Sequence, residues 1–225
     1  MNTYKQNAKI AGILFILGTA APITGGIISN SVMSAPNYLQ RMSTNQPTMI
    51  TAIFLQFIMA ISCAGITIAL YPVLKKFSGT LSIGAVAFRL LEGMLGILVA
   101  VGVSSLLILS RHFIAADTQA LSSLQVLGDL IKTTNDWIVN GPLVICWIIA
   151  AAMYYTVFYQ YRLIPRWLTI WGFIGITLTF FSSILMMISP DFGTIQTITS
   201  MPILVQEMVL AVWLIVKGFS LPKTN

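Results

Sequence analysis

Charge is what this sequence lacks most. Only 8% of its residues are Asp, Glu, Lys or Arg, whereas soluble domains carry roughly 25%. So few charged side chains cannot cover a surface that faces water, which excludes a soluble globular protein. The 225 residues are 57% hydrophobic, and their mean hydropathy is +0.89. We therefore expect a single transmembrane domain made of membrane spans and short loops.

Histidine and cysteine are also scarce, with one and two residues respectively. His112 falls at the end of an apolar stretch, and both Cys63 and Cys146 fall inside apolar stretches. Metal and haem sites need clusters of such ligands, so we predict no metal, no cofactor and no disulfide. The chain has no run of basic residues, phosphate-binding loop or nucleophile motif. We accordingly predict no nucleic-acid partner and assign no catalytic residue.

Long apolar stretches make up most of the chain. A helix needs about 20 apolar residues to cross the hydrocarbon core, and alternation of period two, typical of a barrel strand, is absent. The sequence therefore predicts an all-α integral membrane bundle of six transmembrane helices. Their predicted spans are 9–29, 48–73, 79–110, 137–160, 167–188 and 199–218.

The basic residues predict the orientation of these spans. Cytoplasmic loops are enriched in Lys and Arg, and the predicted loops divide eight to three between the two sides. The three on one side are Arg41, Arg111 and Lys132, and the eight on the other are Lys5, Lys9, Lys75, Lys76, Arg162, Arg166, Lys217 and Lys223. We therefore predict that both termini are cytoplasmic.

One predicted outer loop contains a helical pattern of its own. Leucine and isoleucine recur at helical spacing between Asp117 and Lys132, at positions 121, 124, 127 and 131. This spacing predicts a short amphipathic helix over about 118–132. It would either pack at the membrane interface or form a lid over a cavity.

Three charged residues lie deep inside predicted spans: Arg89, Glu92 and Glu207. Each costs about 2.5–3.5 kcal/mol or more at the bilayer centre, so such residues normally face protein and pair with one another. Arg89 and Glu92 are three residues apart, which on a helix permits an ion pair. We therefore expect all three side chains to face the interior of the bundle.

Small and polar residues surround these charges in a regular pattern. In the third span they form one helical stripe: Ser82, Ala85, Arg89, Glu92, Gly93, Gly96, Ala100 and Ser104. The second span carries a matching stripe of small and polar residues that includes Gln56. Such stripes let helices approach closely and bond across the contact. We predict a polar core from spans 2, 3 and 6, with Arg89 between two carboxylates, as a ligand-binding set comprising Arg89, Glu92, Glu207, Gln206 and Gln56.

Three functions fit such a core. The first is binding or transport of a small ligand or lipid, with membrane lipid and a small molecule or a proton as partners. The second is a structural or regulatory membrane subunit, whose charges only clamp the bundle together. The third is an intramembrane enzyme, although no catalytic constellation is visible. Neither the substrate nor the oligomeric state follows from the sequence.

Four segments resemble one protein family. They are ALYPVLKK (69–76), FRLLEG (88–93), LIPRWL (163–168) and QEMVLAVWLIVKGF (206–219). Together they are similar to the domain of unknown function 4386 family, and the resemblance covers nearly the whole chain. It implies a multi-pass protein of the bacterial cytoplasmic (inner) membrane. It implies no activity, substrate or catalytic residue.

The predicted orientation can be tested by labelling single cysteines from outside intact cells. We expect cysteines in place of Thr44 and Ser122 to react with an impermeant maleimide, and cysteines in place of Lys76 and Lys223 to stay unlabelled. Labelling at position 76 together with protection at position 122 would invert the topology.

Overall fold

The computed structural model describes residues 3–220, and within that range every regular element is helical. Lys223 and the predicted cytoplasmic C-terminus lie outside the described residues. A five-residue π-helix, Val139–Leu143, and a short 3-10 turn, Pro190–Phe192, accompany the α-helices. These are α1 Thr3–Met33, α2 Tyr38–Thr44, α3 Gln46–Leu74, α4 Gly79–Ala115, α5 Thr118–Ile138, α6 Val144–Tyr161, α7 Arg166–Ile188 and α8 Gly193–Val216.

The prediction of an all-α bundle with six transmembrane helices is confirmed, since six helices are long and apolar enough to cross a membrane. The fourth differs in extent from its prediction. Its helix runs for 44 residues, from Thr118 to Tyr161, because α5, the π-helix and α6 follow one another without a break. The segment 118–132, predicted as a separate short helix, is the first part of this element. Pro142 falls inside the π-helix, whose wider turn lets the helix continue past it.

Local sequence explains where several helices begin and end. The side chain of Ser78 caps α4 by accepting a hydrogen bond from the backbone N–H of Leu81 at 3.3 Å, and Asp117 caps α5 in the same way through Ala120. Such caps satisfy backbone donors that have no partner within the helix. At the other end of the fourth span, Arg162 adopts the left-handed conformation with φ 54°, and this reversal ends α6.

The six spanning helices form a closed ring. Helices α1, α3, α4, α6, α7 and α8 each pack against the next in this order, and α8 packs against α1. Consecutive spanning helices run in opposite directions, so the connections between them alternate between the two ends of the bundle. We call them the α2 end, where α1 ends and α3 begins, and the lysine end, where Lys75 and Lys76 lie between α3 and α4.

Glycine allows the ring to close between α1 and α8. A Cβ atom added at Gly12 would lie 2.6 Å from the carbonyl oxygen of Ala211, so only glycine permits this approach of the two backbones. Thr19 of α1 lies two turns from Gly12, and Glu207 of α8 lies one turn from Ala211. The close contact thus brings Thr19 and Glu207 together.

Contacts between α2, α1 and α5 link the helices at the α2 end. The hydroxyl of Tyr38 donates to Asp129 at 2.9 Å, and Lys132 donates to the backbone carbonyl of Met33 at 2.9 Å. Burial, followed by the hydrogen bond to Asp129, raises the pKa of Tyr38 above its ordinary value. Tyr38 therefore stays protonated as a donor across the physiological range, and this link joins α2 to α5.

Two alanine substitutions in α1 test the role of the close contact. We expect Gly12→Ala to destabilise the protein in detergent, because the new methyl group meets the backbone of α8. Gly26→Ala is the matched control, since a Cβ there would meet nothing within 4 Å, and helix propensity favours alanine by up to about 1 kcal/mol. Thermal unfolding of both variants measures the difference. If the Gly12→Ala and Gly26→Ala proteins were equally stable, the close contact of α1 and α8 at Gly12 would not be needed for stability.

Candidate functional site

The polar stripe predicted on the third span faces the interior of the ring. Ser82, Ala85, Arg89, Glu92, Gly93, Gly96 and Ala100 are all buried, and Ser104 is half-buried. Leu91 and Leu98, which lie off this stripe, are 46% and 53% exposed. Helix α4 therefore turns Arg89 and Glu92 inward, as its sequence pattern predicts.

Arg89 and Glu92 form an ion pair within α4. One guanidinium nitrogen, Nη1, donates to both carboxylate oxygens of Glu92, at 3.1 and 3.0 Å. The Cys63 thiol of α3 donates to the same carboxylate at 3.2 Å. Both oxygens of Glu92 are thus occupied, and Glu92 neutralises the charge of Arg89 locally.

The rest of the guanidinium is only partly satisfied. Nη2 of Arg89 lies 3.3 Å from the hydroxyl of Tyr154 in α6. Its Nε–H is buried and has no hydrogen-bond partner among the residues that the structure describes. A buried donor without a partner costs about 1–3 kcal/mol, so this nitrogen marks a place where a hydrogen-bond acceptor is missing.

Glu207 does not complete the predicted triad. The only ion pair within residues 3–220 is Arg89–Glu92, so Arg89 is not held between two carboxylates as the sequence analysis expected. Glu207 instead accepts a hydrogen bond from the Thr19 hydroxyl of α1 at 2.7 Å. The reason is the order of the ring, in which α8 packs against α1 and α7.

The two predicted glutamines lie in different places. Gln56 of α3 is half-buried and lines the same internal space as Arg89. Gln206 is fully buried at the contact with α6 and α7, where it accepts from the Tyr155 hydroxyl at 2.7 Å and donates to the Leu168 carbonyl at 3.0 Å. Gln206 is therefore separated from the other four predicted site residues.

A cavity of about 410 Å³ lies at the centre of the ring. Every spanning helix contributes to its wall, and so does the π-helix. Its charged residues are Arg89, Glu92 and Glu207, and its other polar residues are Thr19, Gln56, Cys63, Trp147, Thr179 and Ser200. Apolar side chains complete the wall: Ile23, Met59, Ile66, Val139, Leu143, Val144, Ile203 and Leu204, together with Gly18 and Pro22.

The charged residues lie at one end of this cavity. At 1.5 Å per residue, Arg89 is about 15 Å from the start of α4 and Glu207 is about 14 Å from the end of α8. Both distances are measured from the lysine end and equal about half of a 30 Å hydrocarbon core. Ser200, by contrast, is about 24 Å from that end. The cavity thus extends from the middle of the bundle toward the α2 end.

Three residues of the site were missed by the sequence analysis: Thr19, Trp147 and Tyr154. Tyrosine and tryptophan usually sit at membrane interfaces, so aromatic residues with polar groups well inside the fourth span were a detectable signal of an internal partner. Thr19 had a weaker signal, as a single hydroxyl beside Gly18 in an apolar run. Nothing local in the sequence indicated that it would contact Glu207.

The chemistry available in the cavity is that of charge and hydrogen bonding. The described residues contain no group of three His, Cys, Asp or Glu side chains placed to hold a metal ion. His112 is exposed near the end of α4, far along the chain from Glu92. Carboxylate, amide, hydroxyl and indole groups remain to contact a bound molecule.

Fold and site together define a class of protein: a multi-pass membrane helical bundle with a largely apolar cavity at its centre that contains buried charged residues. The chain matches the model of the domain of unknown function DUF4386 over residues 10–218. It belongs to that family, as the four segments of its sequence predicted. No curated protein and no solved structure matches the chain.

The pairing in α4 gives a mutational test. We expect Arg89→Leu to destabilise the protein, since removing one partner of a buried pair costs about 3–5 kcal/mol in soluble proteins and less in membranes, where the unfolded state also finds partners. Adding Glu92→Gln should recover much of the loss. Adding Glu207→Gln as well should recover nothing further, because Glu207 is not paired with Arg89. Unfolding by increasing amounts of a denaturing detergent measures the stability of the single, double and triple variants. Stability that is regained only in the triple variant would contradict the observed pairing.

Proposed function

We propose that this protein binds a small molecule in the cavity at the centre of the ring, as a transporter or a sensor in the bacterial inner membrane. The observation that carries the proposal is a cavity of about 410 Å³ beside Arg89, walled by all six spanning helices. Small-molecule sites are concave, mostly apolar and about 300–1,000 Å³, with a few polar groups that orient the ligand. The cavity has this size and this composition.

The incomplete hydrogen bonding around the cavity supports binding over a purely structural role. A purely structural clamp is expected to satisfy all of its buried charges and donors within the protein. Here Arg89 retains an unpartnered buried donor, and Glu207 has no Lys, Arg or His of residues 3–220 in ion-pair contact. A ligand or ordered water would supply the missing partners.

The outer surface of the ring suits membrane lipid. Large apolar side chains are exposed along every spanning helix, including Ile27, Ile61, Met94, Phe181 and Val212, each at least 55% exposed. Burial of apolar surface in hydrocarbon chains stabilises such a face. We therefore propose lipid as the partner of the outer surface and a small molecule, or a proton on Glu207, as the partner of the cavity.

Blocking the cavity tests the proposal. Ser200→Phe places a phenyl ring in the cavity wall, whereas Thr197→Phe places one on an exposed position of the same helix. Purified wild-type protein should be stabilised by at least one compound of a broad metabolite panel, by about 2.7 kcal/mol at a concentration of 100 times Kd. We expect Ser200→Phe to lose this response and Thr197→Phe to keep it.

The readout is thermal unfolding in detergent, with native mass spectrometry to detect molecules retained from the membrane. Two negative results together would favour the structural role. No compound of the panel would distinguish the Ser200→Phe protein from the Thr197→Phe protein, and the wild-type protein would retain no molecule from the membrane.

A further inference from the structure

We infer that the ligand of the cavity is a small organic cation, an amine on an apolar body, and that Glu207 is its counter-ion. The inference rests on the proposed binding function and specifies the chemical class of the ligand. It follows from the charges of the cavity, from the position of the one carboxylate in its wall that makes no ion pair, and from the apolar character of the remaining wall.

The charges of the cavity do not balance. Arg89 and Glu92 neutralise each other, since one guanidinium nitrogen of Arg89 reaches both carboxylate oxygens of Glu92. Glu207 is the third charged residue in the wall. No Lys, Arg or His within residues 3–220 lies in ion-pair contact with it. The formal charges of the cavity wall therefore sum to one negative charge.

Glu207 is placed to accept from a ligand. It is only 7% exposed and lies about half-way across the bundle, where a charge without a partner is costly. Thr19 donates to its Oε2 atom at 2.7 Å, and the indole N–H of Trp147 is also placed to donate to the carboxylate. An ammonium group would supply the missing charge and up to three N–H donors, and such charge-assisted hydrogen bonds are the strong ones.

The remaining wall suits an apolar body attached to that amine. Ile23, Leu143, Ile203 and Leu204 line the same cavity as Glu207. Trp147 is also in the wall, and an indole is the side chain that best attracts an alkylammonium group. An anion fits poorly, because Glu207 would repel it while the charge of Arg89 is already neutralised. The free Nε–H of Arg89 needs only a neutral acceptor, such as a water or a hydroxyl oxygen.

Three molecules of similar shape but different charge test whether the ligand is a cation, a neutral molecule or an anion. They are 2-phenylethylamine, 2-phenylethanol and phenylacetate. Their binding to the purified full chain in detergent can be measured by isothermal calorimetry and thermal unfolding. We expect the amine to bind about tenfold or more tightly than the alcohol, and phenylacetate to bind least. In Glu207→Gln the amine should lose about tenfold or more in affinity, while binding of the alcohol changes little.

Two controls complete the experiment. Asp191→Asn removes an exposed carboxylate outside the cavity wall and should leave amine binding unchanged, which excludes a general effect of protein charge. Ser200→Phe should abolish binding of the amine and of the alcohol alike, which places both in the cavity. If Glu207→Gln does not fold, the order of the three affinities in the wild-type protein tests whether the ligand is a cation.

Each result has a distinct meaning. If the alcohol or phenylacetate binds more tightly than the amine, and Ser200→Phe abolishes that binding, the inference of a cationic ligand is wrong. The proposed binding function is then still supported. Amine binding that survives Glu207→Gln would overturn the role of Glu207. Failure of all three compounds to bind at millimolar concentration would also overturn the cation, and the broad panel with Ser200→Phe and Thr197→Phe would then decide the binding function separately.

Discussion

A guanidinium in the middle of a membrane is the constraint on which the rest of the structure depends. Arginine cannot shed its proton in a protein, so Arg89 must find its counter-charge and its acceptors within the bundle. Glu92 supplies the charge from the next turn of α4, Cys63 of α3 bonds to Glu92, and the Tyr154 hydroxyl of α6 lies within reach of Arg89. Helices α3, α4 and α6 are thereby joined around one buried pair.

The opposite side of the ring is held by shape. A Cβ at Gly12 would meet the backbone of Ala211, one at Gly172 the ring of Tyr155, and one at Gly175 the side chain of Ile203. Close approach of helices through small residues is the usual means of association in membranes. Helices α1, α7 and α8 therefore pack without buried ion pairs, and Glu207 is left facing the charged side across a gap. That gap is the cavity.

Most of the fold and part of the site follow from the sequence. Long apolar stretches specify the six spans, and helical periodicity specifies which face of α4 is buried, because both signals are local. The partner of Glu207 depends on which helices meet, and no local pattern shows that α8 packs against α1. Gln206 and Glu207 are neighbours in the chain, yet adjacent residues on a helix do not face the same way. The prediction that both residues belong to one polar core was therefore wrong, and Gln206 packs against Tyr155 instead.

Three prolines and the π-helix lie on the α2 side of the cavity. Pro22 of α1, Pro142 of the π-helix and Pro202 of α8 lie inside their helices, where each removes a backbone N–H donor, and all three lie nearer the α2 end than Thr19 and Glu207 do. Irregular backbone at membrane depth is tolerated where it lines a cavity or is buried in protein, and π-helical turns are frequent at functional sites. Helix α4 contains no proline, so its ion pair sits on continuous backbone. Bending that changed the volume of the cavity would therefore cost least on the α2 side, where the Arg89–Glu92 pair need not break.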